Sequence, residues 1–130
     1  MKFKTLLTIN AVLAFVTGLS CVLFPAQILA SYGVQLMPMG LVVYQFWGTA
    51  LIGLGMLTWF ARKVKDSALQ KAFAWFLIIT NGLSGVIAIR GQYAGANALG
   101  WSTVALFFLL ALGFGCFILK SLGGGQRAKE

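Results

Sequence analysis

The sequence predicts an all-α integral membrane protein, a four-helix bundle with both termini in the cytoplasm. Four apolar runs divide the chain, charged residues are confined to the segments around them, and the basic ones fall almost wholly on one side. With 60% hydrophobic residues, 9% charged residues and a mean hydropathy of +0.92, the chain is far from the roughly one quarter of charged residues in a soluble domain. A hydrocarbon core about 30 Å thick takes roughly 20 apolar residues per helical span. Four spans and their connections use up the 130 residues, so 1–130 reads as a single transmembrane domain.

The first span is expected over 5–24. It stops at Pro25, which removes a helical hydrogen bond. Met1 to Cys21 also has the basic start and apolar stretch of a secretory signal. Gly18 stands where lipoprotein cleavage sites prefer leucine, and the segment is read as a retained span. The uncharged segment 25–38 begins with a proline suited to a first helical turn and places Ile28, Leu29 and Tyr32 on one face. It is expected along the outer interface, as a short amphipathic helix or as an irregular loop.

Spans two, three and four follow at about 39–60, 69–89 and 99–119. The end of the chain, 121–130, contains Gly123-Gly124-Gly125 and is expected to be a flexible tail. A weak internal echo relates the halves. Thr8-Ile9-Asn10-Ala11 resembles Ile79-Thr80-Asn81-Gly82, and Trp47-Gly48-Thr49-Ala50 resembles Trp101-Ser102-Thr103-Val104. Two parallel helical-hairpin repeats, related by an axis along the membrane normal, would produce it; chance likeness between apolar helices would too.

Orientation follows from the basic residues, which are retained on the cytoplasmic side. Lys2 and Lys4 precede span one; Arg62, Lys63, Lys65 and Lys71 lie between spans two and three; Lys120, Arg127 and Lys129 follow span four. Only Arg90 lies on the other side. Trp47, Trp59, Trp75 and Trp101 are expected near span ends, as an aromatic belt. The net charge of +8 belongs to these flanks, where it attracts anionic lipid and points to no nucleic-acid partner.

Missing residue types exclude much chemistry. The sequence has no histidine and two acids, Asp66 and Glu130, both outside the spans. Imidazole ligation and a membrane carboxylate for proton coupling, as in small four-helix multidrug exporters, are therefore excluded. Cys21 and Cys116 fall toward opposite ends of the bundle, too far apart for a disulfide. Both are expected as small core residues. We expect no enzyme, no cofactor and no metal site.

Asn10, Gln45 and Asn81 are the costly polar groups within the spans. They should face inward, as interhelical glue or as the polar floor of a pocket. Glycines in spans two to four, Gly48, Gly53, Gly55, Gly82, Gly85, Gly113 and Gly115, permit close helix approach without a GxxxG pattern. Arg90, Gln92, Tyr93 and Asn97 form the outer polar cluster. It is read as a snorkelling arginine or, more sharply, as a site for a phosphate or carboxylate headgroup.

Leu6-Leu7-Thr8-Ile9-Asn10-Ala11, Phe24-Pro25 followed by Tyr32-Gly33-Val34, Gly53-Leu54-Gly55 leading to Trp59-Phe60-Ala61-Arg62, and Asn81-Gly82-Leu83 together resemble small bacterial four-helix membrane proteins grouped as a domain of unknown function. Architecture alone is similar to DoxX-like and ergosterol-scaffold four-helix proteins. The resemblance implies the fold and a bacterial inner membrane, and transfers no site residues. Three functions stay open. A non-enzymatic accessory or scaffold subunit, packing against another membrane protein or as a homo-oligomer, comes first. A binder or carrier of a lipid or other hydrophobic ligand follows, and a small channel or transporter without a proton-coupling carboxylate is third.

Overall fold

The computed structural model describes residues 2–127, and they form five helices. These are α1 (Phe3–Leu23), α2 (Pro25–Ser31), α3 (Pro38–Ala61), α4 (Ser67–Tyr93) and α5 (Gly100–Arg127). All but α2 are long and apolar enough to cross a membrane. On their outer surfaces Phe46 is 71% exposed and Leu112 65% exposed, among many other large apolar side chains. Water would not tolerate so much contiguous apolar surface. The protein is a multi-pass helical bundle.

Both prolines stand in the first turns of helices, α2 and α3, where a missing N–H costs no bond. The segment 25–38 thus contains a real helix, and Gly33, at φ 73°, turns the chain out of it. Glycine takes that left-handed conformation without a steric penalty. Asp66, one of only two acids in the sequence, caps α4 by accepting the Leu69 N–H at 3.0 Å, which satisfies a donor the helix itself cannot. Two expected boundaries move. α4 runs on to Tyr93, and α5 continues through Gly123-Gly124-Gly125 to Arg127, where composition predicts a flexible tail. Each glycine weakens a helix by only about 1 kcal/mol, and a formed helix propagates one bond per residue. Residues 128–130 of the expected tail lie outside the described range.

The helices pair as two antiparallel hairpins. α1 packs along α3 and α4 along α5, whereas α1 and α5 touch more sparsely and the backbones of α3 and α4 scarcely approach. Small residues set the first pairing. Ala11 and Gly18 on α1 are seven residues apart, as are Gly48 and Gly55 on α3, and they meet in antiparallel register. A Cβ on Gly18 would lie 2.6 Å from the Gly48 carbonyl oxygen, and one on Gly55 would lie 3.0 Å from the Ala11 carbonyl oxygen. Gln45 fastens the same interface by donating to the Val22 carbonyl at 2.9 Å. In the second hairpin Gly85 receives the Phe108 ring.

The hairpins meet at the end that carries both termini. Leu6, Leu7, Ala61, Leu77 and Phe114 form one buried cluster there. Phe3 stacks on Phe117 at 4.2 Å and meets Phe114 edge-on, both favoured arrangements of aromatic quadrupoles. Gly113 admits Leu6. Arg62 closes this end from α3. Its guanidinium sits 3.4 Å over the Trp59 ring and donates to Thr8 Oγ1 at 3.2 Å. The first of these contacts is a cation–π attraction to the ring face. Of the two cysteines only Cys21 is a core residue; Cys116 is exposed, because it lies on the outward face of α5.

Candidate functional site

Above the buried cluster the hairpins diverge and border a half-open cavity of about 400 Å³. Every helix contributes to its wall, including α2. Its floor is a contact between the two hairpins. Asn81 donates from Nδ2 to Asn10 Oδ1 at 3.3 Å and to the Leu77 carbonyl at 2.8 Å. Both asparagines are almost fully buried, 4% exposed at Asn10 and 7% at Asn81. Asn10 Nδ2 is buried and has no hydrogen-bond partner among the described residues. Such a donor is costly, on the order of 1 to 3 kcal/mol.

The walls are apolar and aromatic, with Leu13, Leu51, Leu54 and Phe107 among them. Trp47 also lines the cavity and stacks on Tyr44 at 5.5 Å. The helical rise puts it roughly 13 Å along α3 from Pro38. It therefore departs from the expected belt at the span ends.

The roof is α2 with the 94–99 loop, held by a clasp between the hairpins. Tyr32 Oη and Thr103 Oγ1 share a hydrogen bond of 2.8 Å. Asn97 donates its side-chain amide to the Ser31 carbonyl at 2.8 Å and its backbone N–H to the Tyr32 carbonyl at 2.9 Å. Ile28, Leu29 and Tyr32, the face picked out in the sequence, all turn inward onto the cavity. That face therefore covers an interior space.

The predicted site residues separate into three groups. Asn10 and Asn81 come together as the floor. Gln45 serves the α1–α3 interface, and Asn97 serves the clasp. The outer cluster does not assemble as a unit: Gln92 lines the cavity, but Arg90 and Tyr93 are exposed and outside its wall. Helical spacing is the reason. α4 continues through this segment, and its turn sets Arg90 and Gln92 about 200° apart around the axis. Sequence reasoning missed Tyr32's polar contact, Tyr44, Thr103 and Ser84 as features of the cavity. Of these only Ser84 carried a signal, standing one turn beyond Asn81 on the same face.

Chemically, this wall offers hydrogen bonds and apolar surface. It contains no lysine, arginine, aspartate or glutamate among the described residues. An ion transferred there would meet no countercharge. The chain matches no protein-family model, no curated protein and no solved structure.

Proposed function

We propose that this protein binds a hydrophobic ligand inside its bundle, as a binder or carrier in a bacterial inner membrane, with both termini cytoplasmic. The cavity of about 400 Å³ between the hairpins carries this reading. Its size is in the range of small-molecule sites, about 300 to 1,000 Å³, and so is its character, mostly apolar walls with a few placed polar groups. Orientation rests on the basic residues: all but Arg90 stand beside the terminal ends of spans one and four, or in the connection between α3 and α4 and the first turns of α4. The choice of membrane rests on the sequence resemblance alone, which no family model matches.

The scaffold reading, which the sequence ranks first, loses ground on physical grounds. Gly48, Gly55, Gly85 and Gly113, four of the glycines that motivate it, already serve contacts within the chain. The meeting of Asn10 with Asn81, equivalent positions in the internal echo, supports two parallel hairpin repeats about a central axis.

Native mass spectrometry on protein released gently from its own membrane tests the reading. We expect a monomer that retains one small lipophilic mass. Ala88→Phe, which places a ring in the cavity, should lose that mass and keep its helical circular-dichroism spectrum. Identical adducts on both forms, or none on either, would sink the ligand reading; co-release with a second protein would restore the scaffold.

A further inference from the structure

We infer that the ligand is an electrically neutral lipophile with a carbonyl oxygen, and that this oxygen docks on the Asn10–Asn81 floor. The inference rests on the proposed ligand-binding reading and specifies its chemistry. Three observations carry it.

The first is the orphan donor. Asn10 lines the cavity, is 4% exposed, and has an Nδ2 without a partner among the described residues. Asn81 does not satisfy it, because the bond between the two side chains runs from Asn81 Nδ2 to Asn10 Oδ1 and leaves Asn10 Nδ2 without an acceptor. What the floor lacks is an acceptor. Ser84, one turn along the same wall, adds a hydroxyl that can donate to it. A ligand that is only a donor would leave Asn10 Nδ2 as it is.

The second is charge. With no lysine, arginine, aspartate or glutamate in its wall among the described residues, the cavity has no charged side chain to offset the desolvation of a carboxylate, phosphate or ammonium group. Arg90, the basic residue nearest the roof in sequence, is exposed and outside the wall. The anionic headgroup considered from the sequence is therefore not the ligand of this cavity.

The third is length. On α4 the cavity wall extends from Thr80 to Gln92. At the helical rise that stretch spans roughly 18 Å. Between the floor and the clasp the wall is aliphatic and aromatic, with Leu51, Trp47 and Phe107 flanking the path. That shape takes a flat or chain-like apolar body that ends in one acceptor.

Methyl naphthyl ketone and isopropenylnaphthalene, which differ by an oxygen against a methylene, make the test. Binding to purified protein is followed by quenching of tryptophan fluorescence, in wild type, Asn10→Leu and Ala88→Phe. Wild type should prefer the ketone, and Asn10→Leu should weaken the ketone about tenfold, the worth of one buried hydrogen bond, while leaving the hydrocarbon unchanged. In wild type the isotope-labelled ketone should also show its infrared carbonyl stretch lowered from the value in detergent alone, a readout that needs no folded variant. Equal binding of the two probes, blocked by Ala88→Phe, with an unshifted carbonyl stretch would overturn the carbonyl inference and leave the cavity reading standing. If neither probe shows binding that Ala88→Phe blocks, the cavity reading itself is overturned.

Discussion

Gly18 on α1 and Gly48 on α3 lie back to back, so close that a Cβ on Gly48 would stand 2.9 Å from the Gly18 carbonyl oxygen and 2.8 Å from Cys21 Cβ. Backbone atoms and the Cys21 Cβ, none of which can swing aside, fill the space that a methyl group would need. Gly18→Ala and Gly48→Ala should each destabilise the bundle by about 1 to 3 kcal/mol, the usual cost of overpacking. Gly53 and Gly82 face open space. Their alanine variants should be neutral or stabilising by up to about 1 kcal/mol through helix propensity. Denaturant titration in mild detergent, followed by circular dichroism, compares the four. Equal losses at all four positions would mean that α1 and α3 are not in this register.

Asn10 and Asn81 make the second contact with an unequal energetic balance. Asn81→Leu removes the donor to Asn10 Oδ1 and leaves a buried amide with no partner at either atom. Replacing both residues with leucine removes that amide as well. The double variant should therefore be at least as stable as Asn81→Leu alone, because an unsatisfied buried group costs about 1 to 3 kcal/mol. The coupling energy from the full cycle should be modest, near the roughly 0.6 kcal/mol average for hydrogen bonds within a membrane bundle. A double variant much weaker than either single one would argue that the pair is essential glue.

Much of the fold was legible in the sequence. A span announces itself through length and hydropathy, so four helices long and apolar enough to cross are readable; over 25–38 the sequence left a short helix and a loop open, and Pro25 opens a helix. The register between α1 and α3 was not. A search for GxxxG looks along one helix, whereas here the signal is Ala11 and Gly18 on one helix matched by Gly48 and Gly55, equally spaced, on another. The cavity was not legible either, since it depends on how far two hairpins diverge. The asparagines were readable as inward-facing because hydrocarbon leaves an amide no alternative. Which of them would lack a partner depends on atomic geometry. Arg90 illustrates the opposite failure: neighbours in sequence look like a cluster until a helix distributes them around its axis.

The clasp between α2 and the 94–99 loop should open before the helices do. Asn97 donates to the Ser31 and Tyr32 carbonyls and accepts the Leu99 N–H at Oδ1. Asn97→Ala should raise amide hydrogen exchange in residues 28–36 and 94–100 while α1 and α4 keep their protection. Tyr32→Phe, which removes only the bond to Thr103, should do the same more weakly. Local opening of this kind draws on the low-stability end of a structure. Uniform exchange across the whole chain in Asn97→Ala would mean that the clasp holds the entire bundle together.

Topology gives the last prediction, and it follows from where the basic residues stand in the structure. Lys2, Lys4, Arg62, Lys63 and Lys65 all flank the end that carries the termini, while Ala98 lies in the loop at the opposite end. Retention of positive residues on the cytoplasmic side depends on such a bias across short loops. With Cys21 and Cys116 replaced by serine, Ala98→Cys should react with a membrane-impermeant maleimide on intact cells, and Ser67→Cys should react only after the membrane is breached. Arg90→Ala removes the one opposing charge and should leave both patterns unchanged. Adding lysines at Ala94 and Ala96 while neutralising Arg62, Lys63 and Lys65 should produce a mixed population labelled from both sides. Labelling of Ser67→Cys on intact cells, with the native charges in place, would invert the bundle and put the roof of the cavity, α2 and its clasp, on the cytoplasmic side.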